Sequence, residues 1–229
     1  MTADNRNTEV LRSLEVETGA NPTRAVIWLH GLGADGSDFL PIVDELDLHG
    51  LSPIRFIFPN APMMPVTING GYVMPAWYDV LSADFSDRRE DPKGVHASAA
   101  ELEKLVAREN SRGIEDGHIV LAGFSQGGAI ALHAGLRHAK PLAGIMALST
   151  YLPLADSLAD EAHAANRQTP IFMAHGYGDA VIAHELSRRS CELLLEAGYP
   201  IDWHPYEMEH SVCMEEVRDI GAWLRKVLA

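Results

Sequence analysis

Six short apolar runs, separated by stretches in which apolar residues recur every three or four positions, constrain this chain more than any other feature. The runs lie at 25–29 (AVIWL), 54–58 (IRFIF), 119–121 (IVL), 144–148 (GIMAL), 171–174 (IFMA) and 201–206 (IDWHPY). Their nearly continuous apolar character suits strands covered on both faces, as in parallel sheets. The intervening segments 95–112, 126–138, 181–196 and 212–228 carry the helical period. Alternation of this kind predicts an α/β fold: a mostly parallel, doubly wound central sheet with helices on both faces. A weaker alternating run at 10–17 is expected to add an antiparallel edge strand. With 229 residues and 47% hydrophobic content, the chain is long enough for one substantial core. No internal repeat, low-complexity tract or Ser/Gly linker divides it, so a single domain over residues 1–229 is expected.

One connection breaks the pattern of short links. Residues 59–79 hold four prolines, the pair Gly70-Gly71 and three of the eight methionines, Met63, Met64 and Met74. Structureless segments of this length usually serve function. Flexible methionines suit an adaptable apolar wall, so 59–79 is read as an irregular substrate-pocket loop.

Composition removes several classes of function. The formal net charge is −14, with acidic residues spread along the chain rather than gathered in a tail. Nucleic acid and anionic membrane surfaces both require clustered Lys and Arg, so neither is an expected partner. The N-terminal residues lack a basic start followed by an apolar run, and no apolar stretch is long enough to span a bilayer. The expectation is a cytoplasmic protein without integral membrane association. Two cysteines, Cys191 and Cys213, are too few for a disulfide framework or a thiolate-rich zinc site, and both are expected to be small buried apolar residues.

The stretch GFSQGG, residues 123–128, follows the apolar run 118–122 and precedes the alanine-rich segment 129–134. A serine hydroxyl is a weak nucleophile until a base takes its proton, and it must stand clear of the backbone to reach a carbonyl carbon. A G-x-S-x-G turn between strand and helix meets the second need: small neighbours permit a tight reversal that exposes the serine at the edge of the sheet. The bare pattern is weak, but its strand-before, helix-after setting makes Ser125 a candidate nucleophile.

Such a nucleophile needs a base late in the chain and an acid between the two. Asp179 lies just after the apolar run 171–174, and His210 lies between the run 201–206 and the last helical segment. Ser125, Asp179 and His210 therefore fall in the required order at corresponding ends of successive strands. The carboxylate would orient the imidazole, which takes the serine proton and returns it to the leaving group. His204 lies inside an expected strand and His175 precedes the acid, so both are poorer bases. For the oxyanion, one N–H should follow the nucleophile and one should come from the loop after an early strand. Gln126 supplies the first. The stretch LHGLG at 29–33 makes Leu32 the candidate for the second, with His30 read as structural. That loop has neither a following Lys-Ser/Thr nor a complete G-x-G-x-x-G, so nucleotide binding is not expected.

Taken together, LHGLGADGSDF (29–39), FPNAP (58–62), AWYD (76–79), GFSQGGA (123–129), LSTYLP (148–153), HGYGDAVI (175–182) and YEMEHSV (206–212) resemble the carboxylesterase, lysophospholipase and acyl-protein thioesterase group of α/β-hydrolases, its bacterial carboxylesterase branch in particular. The motifs run across nearly the whole chain in family order. The resemblance implies the same triad of Ser125, Asp179 and His210 and the same donors, Leu32 and Gln126. It also implies a metal-independent, cofactor-free enzyme that hydrolyses short- to medium-chain carboxylic esters or acyl thioesters of small-molecule or acylated substrates, often as a homodimer. Relatives commonly place a proline after the acid, where this chain has Ala180 and Ala183; that bears on loop rigidity and not on the chemistry. Met63, Met64, Trp77 and Leu152 are candidates for the substrate-binding wall, Trp77 being equally able to anchor the long loop. The rival reading is a catalytically silent α/β-hydrolase that serves as a ligand-binding module.

Overall fold

The computed structural model describes residues 10–82 and 89–229, and the apolar runs become its strands. In chain order the elements are β1 (Ser13–Glu17), β2 (Arg24–Leu29), α1 (Ile42–Glu45), β3 (Ile54–Pro59), β4 (Met63–Val66), β5 (Tyr72–Pro75), α2 (Pro92–Ser111), β6 (Ile119–Phe124), α3 (Gln126–Arg137), β7 (Gly144–Leu148), α4 (Leu158–Glu161), β8 (Ile171–Gly176), α5 (His184–Glu196), β9 (Ile201–Tyr206) and α6 (Met214–Val227). Seven strands form one sheet in the order β1-β3-β2-β6-β7-β8-β9. All neighbours are parallel except β1, which runs antiparallel to β3.

Strand alternation splits the core into two layers. Ala25, Ile27 and Leu29 of β2, Ile119 and Leu121 of β6, and Ile171 and Met173 of β8 share one cluster with residues of α2, α3 and α5. Their odd-even partners, among them Val26, Trp28, Val120, Ala122, Phe172 and Ala174, join the side chains of α1 and α6 on the opposite face. Burying one such Leu, Ile or Phe side chain contributes about 1.5–3 kcal/mol, so both faces of the central strands drive the chain into this sheet. The helix α2 starts three residues before the expected position. Asp91 accepts from the Gly94 N–H and Pro92 occupies the first turn, where a missing N–H costs no intrahelical bond.

The segment expected to be structureless is a hairpin. β4 and β5 pair antiparallel from Met63↔Pro75 to Val66↔Tyr72, and Gly70 and Gly71 turn the chain with φ of 66° and 80°. A two-stranded sheet consists wholly of edges, which is where proline's missing donor is tolerated. Cys191 is buried, but Cys213 is only half-buried at the N-terminus of α6, contrary to expectation; both are free.

Candidate active site

Ser125 occupies the single residue between β6 and α3 with φ 55° and ψ −121°. A side chain in this region costs of order 1–3 kcal/mol and persists only where the surroundings impose it. Here the Ser125 N–H donates to the Leu148 carbonyl at 2.8 Å, and its own carbonyl accepts from the Ala129 N–H at 3.1 Å. Gly127 completes the constraint, because a Cβ there would collide with the carbonyl oxygens of Leu29 and His30.

The structure brings Ser125, His210 and Asp179 together from three separate loops. The Ser125 hydroxyl lies 2.9 Å from His210 Nε2, and His210 Nδ1 lies 2.7 Å from Asp179 Oδ2. A carboxylate accepts only, so the proton sits on Nδ1 and leaves the Nε2 lone pair facing the serine. Asp179 is itself fixed, its Oδ1 accepting from the N–H groups of Val181 and Ile182 at 2.8 Å each. Beside it, the buried His175 donates from Nε2 to the Ile182 carbonyl at 2.8 Å, with that nitrogen 3.3 Å from Asp179 Oδ2. Burial holds the His175 pKa below the usual imidazole value, against the pull of the Ile182 carbonyl and Asp179. The two loops are also tied backbone to backbone: the Tyr177 N–H donates to the Tyr206 carbonyl at 2.9 Å and the Gly178 N–H to that of Met208 at 3.0 Å. A Cβ on Gly176 would strike the Met208 and Glu209 carbonyls. His204, stacked on Phe172 and 2.9 Å from Asp202, takes no part in this chain of bonds.

The loop after β2 packs against the serine: a Cβ on Gly31 would lie 3.4 Å from Ser125 Cβ. His30 is buried, with Nδ1 2.7 Å from the Gly31 carbonyl and Nε2 accepting from the Ala61 N–H at 3.0 Å. Burial lowers its pKa, and a neutral ring is what this donor-acceptor pair requires. Among the described residues the Leu32 N–H has no partner, and the Gln126 N–H, first in its helix, has none within the helix.

Sequence reasoning placed only the Gln126 backbone near the site; its side chain proves equally engaged. Its Oε1 accepts from the Trp77 N–H at 2.8 Å and its Nε2 donates to the Tyr78 carbonyl at 2.7 Å. Trp77 in turn donates from Nε1 to the His30 carbonyl at 2.8 Å, and the Ser98 hydroxyl of α2 donates to the Trp77 carbonyl. Trp77 is therefore an internal tie between the loops that carry Leu32 and Gln126. No local spacing marks this network, since its bonds join residues 21 to 49 positions apart.

The four candidate substrate-wall residues do not share one cavity. Leu152 lines a cavity of about 80 Å³ together with Tyr78, Leu81, Tyr151, Leu186 and Leu193. Met64 and Trp77 border a separate groove of about 480 Å³ beside Val10, Leu11 and α2. Met63 is exposed on β4 and borders neither. In the first cavity the hydroxyls of Tyr78 and Tyr151 lie 3.0 Å apart, and burial is the main cause pushing both phenols up, Tyr151 to about 12. Both stay neutral at physiological pH.

The family model described as phospholipase/carboxylesterase matches residues 12–228. The chain is 38% identical to acyl-protein thioesterase 1 of Mycosarcoma maydis, over 96% of this chain and 98% of that protein. It is 40% identical to the protein of that name from Neurospora crassa, over 94% and 91%. Among solved structures, Arabidopsis thaliana SOBER1 superposes with a TM-score of 0.85 at 30% identity, covering 90% of this chain and 99% of that one. Zea mays acyl-protein thioesterase 2 gives 0.82 at 28% identity, covering 96% and 100%. The chain thus has the α/β-hydrolase fold and belongs to the phospholipase/carboxylesterase family of hydrolases.

Proposed function

We propose that this protein hydrolyses acyl thioesters and short- to medium-chain carboxylic esters through an acyl-enzyme on Ser125. The observation that carries the reading is the continuous chain of hydrogen bonds from Ser125 through His210 to Asp179, at 2.9 and 2.7 Å. His210 Nε2 takes the hydroxyl proton as Ser125 Oγ attacks the acyl carbon, and Asp179 stabilises the resulting imidazolium. The N–H groups of Leu32 and Gln126 receive the oxyanion. The imidazolium then protonates the departing thiol or alcohol. Water deprotonated by His210 attacks the acyl-enzyme, and the carboxylic acid leaves with Ser125 restored. Acyl-protein thioesterases among the relatives favour an acylated protein as natural substrate.

Leu152 and the leucines around it form the acyl wall in this reading. Each buried CH₂ contributes only about 0.8 kcal/mol, so chain-length preference should be broad. The whole chain acts as one catalytic domain in the cytoplasm, and family resemblance favours a homodimer; among the described residues no helix is long and apolar enough to cross a membrane.

The test is hydrolysis of a chromogenic ester series from about two to sixteen carbons, with thioester analogues in parallel, by the wild type and Ser125→Ala. Loss of the serine should remove about 10⁴–10⁶ of kcat together with covalent labelling by a serine-directed phosphonate. Turnover that survives in Ser125→Ala would refute the acyl-enzyme. A folded wild type that neither turns over nor labels would favour the silent binding module.

A further inference from the structure

Helices α2, α3 and α4 bring together three side chains that the proposed chemistry does not use. His96 comes from α2, His133 from α3 and Glu161 ends α4. One nitrogen of each imidazole and one carboxylate oxygen lie within 4.8 Å of one another. The two rings meet edge to face, centroids 5.0 Å apart. His133 is 1% exposed, and neither of its ring nitrogens has a hydrogen-bond partner. Buried polar side chains nearly always find one, so an imidazole buried with both nitrogens bare and one aimed at a second imidazole and a carboxylate requires an explanation.

We propose that His96, His133 and Glu161 form a site for a divalent transition metal of the zinc class, apart from the Ser125 site. Two neutral imidazoles and one carboxylate are the donor set that Zn²⁺ accepts, with water completing the tetrahedron, whereas Mg²⁺ and Ca²⁺ favour oxygen ligands. Metal ligation requires unprotonated imidazole, and the His133 ring sits in the core, away from water. Zn–N bonds of about 2.05 Å put tetrahedral ligands about 3.4 Å apart. His133 is fixed in the core, while His96 is an exposed side chain able to close the remaining distance.

Arg137 does not preclude the site. Its Nε donates to Glu161 Oε2 at 2.7 Å, the oxygen that also accepts from Ser157 at 2.8 Å. Oε1 is left for the cation, and a hydrogen-bonded carboxylate is the usual form of a metal ligand. The charges of Arg137 and Glu161 offset each other, so the pair does not repel a cation held by the two imidazole lone pairs and Oε1. Ser125 caps the same helix, eight residues and about 12 Å from His133 along its axis, so the metal would brace α3 against α2 and α4 without entering the catalytic site.

The experiment is titration of the metal-free, full-length protein with Co²⁺, followed by its visible d–d bands, with Zn²⁺ displacement and a thermal melt. One equivalent of Co²⁺ should give the intense bands of a tetrahedral site, and Zn²⁺ should raise the Tm. Losing an outer-shell partner weakens metal sites by about 10–100-fold, so removal of a ligand in His96→Ala should weaken binding by at least about a hundredfold and abolish the Tm shift. Glu161→Gln should weaken it as well; both residues are exposed, so these variants spare the core that His133→Ala would disturb. His210→Ala should keep the signal. Unchanged affinity in His96→Ala, absence of tetrahedral bands in the wild type, or their loss in His210→Ala would each overturn the proposal.

Discussion

Replacing Glu216 by Gln should stabilise the protein at neutral pH and leave it nearly unchanged in acid. Glu216 lies in the first turn of α6, just beyond the loop of His210. It is fully buried, and neither carboxylate oxygen makes a well-formed hydrogen bond. Burial raises its pKa from 4.5 to about 8, with the Cys213 N–H opposing and the like charge of Asp219 adding to the rise. An acid whose folded pKa lies above its unfolded one destabilises the fold as pH rises. Below pH 4.5 both states hold the proton. Between 4.5 and 8 the unfolded chain releases it while the folded chain keeps it, and stability falls by about 1.4 kcal/mol per pH unit before levelling off. The plateau is therefore a loss of about 5 kcal/mol, of which about 3 has accrued by pH 7.

Gln is nearly isosteric and neutral throughout, so it lacks this slope while every other titration is shared by the two proteins. Urea unfolding of both at pH steps from about 5 to 8.5 isolates the difference. It should be under about 1 kcal/mol at pH 5 and widen to about 3 by pH 7. A gap that stays constant across the range would show that Glu216 ionises normally in the folded protein and would refute the reasoning.

Three further outcomes follow from the site. Asp179→Asn cannot hold His210 with its proton on Nδ1 and should lower kcat by about 10⁴ in the ester assay; a loss below tenfold would remove Asp179 from the role of acid. Gln126→Ala keeps the backbone N–H but orphans the Trp77 N–H and the Tyr78 carbonyl, which are buried and cost about 1–3 kcal/mol each. Its unfolding free energy should drop by about 2–6 kcal/mol on that basis, and an unchanged value would mean that the clamp is dispensable. Gly176→Ala drives a Cβ into the Met208 and Glu209 carbonyls, so it should shift the His210 loop, costing about 1–3 kcal/mol of stability and kcat with it; wild-type values of both would count against the tight approach.

The sheet was legible because its central strands are apolar on both faces. Ile119, Val120 and Leu121 point alternately into the two clusters, and a run without polar interruption can only be such a strand or a buried helix. The hairpin β4–β5 was not legible. Pro62, Pro65 and Pro75 remove the donors by which a strand is normally recognised, and Met63 and Tyr72 stay exposed, so neither period nor burial marks the segment. Gly70-Gly71 was its one local sign, since consecutive residues with positive φ are what a tight reversal needs. The start of α2 was readable in Asp91-Pro92, a cap followed by a first-turn proline, but the apolar period begins only at Val95.

For the candidate site, topology carried what the sequence could say. In a parallel sheet every strand delivers its following loop to the same edge, so Ser125 after β6, Asp179 after β8 and His210 after β9 had to meet there once the order of β6, β7, β8 and β9 was regular. What fixes their separations is contact between segments far apart in sequence, which no local pattern encodes. Gly127 leaves room for the carbonyls of the loop after β2, and Gly176 for those of the loop before α6; each looks like an ordinary turn residue until the other segment is in place. The same holds for Gln126, whose backbone role follows from adjacency to Ser125 while its side chain answers to Trp77 and Tyr78. The identities of the three candidate residues are thus set by the chemistry proposed for them and can be read in order along the chain. The precision of the arrangement rests on missing Cβ atoms and on one amide side chain, both of which become visible only in three dimensions.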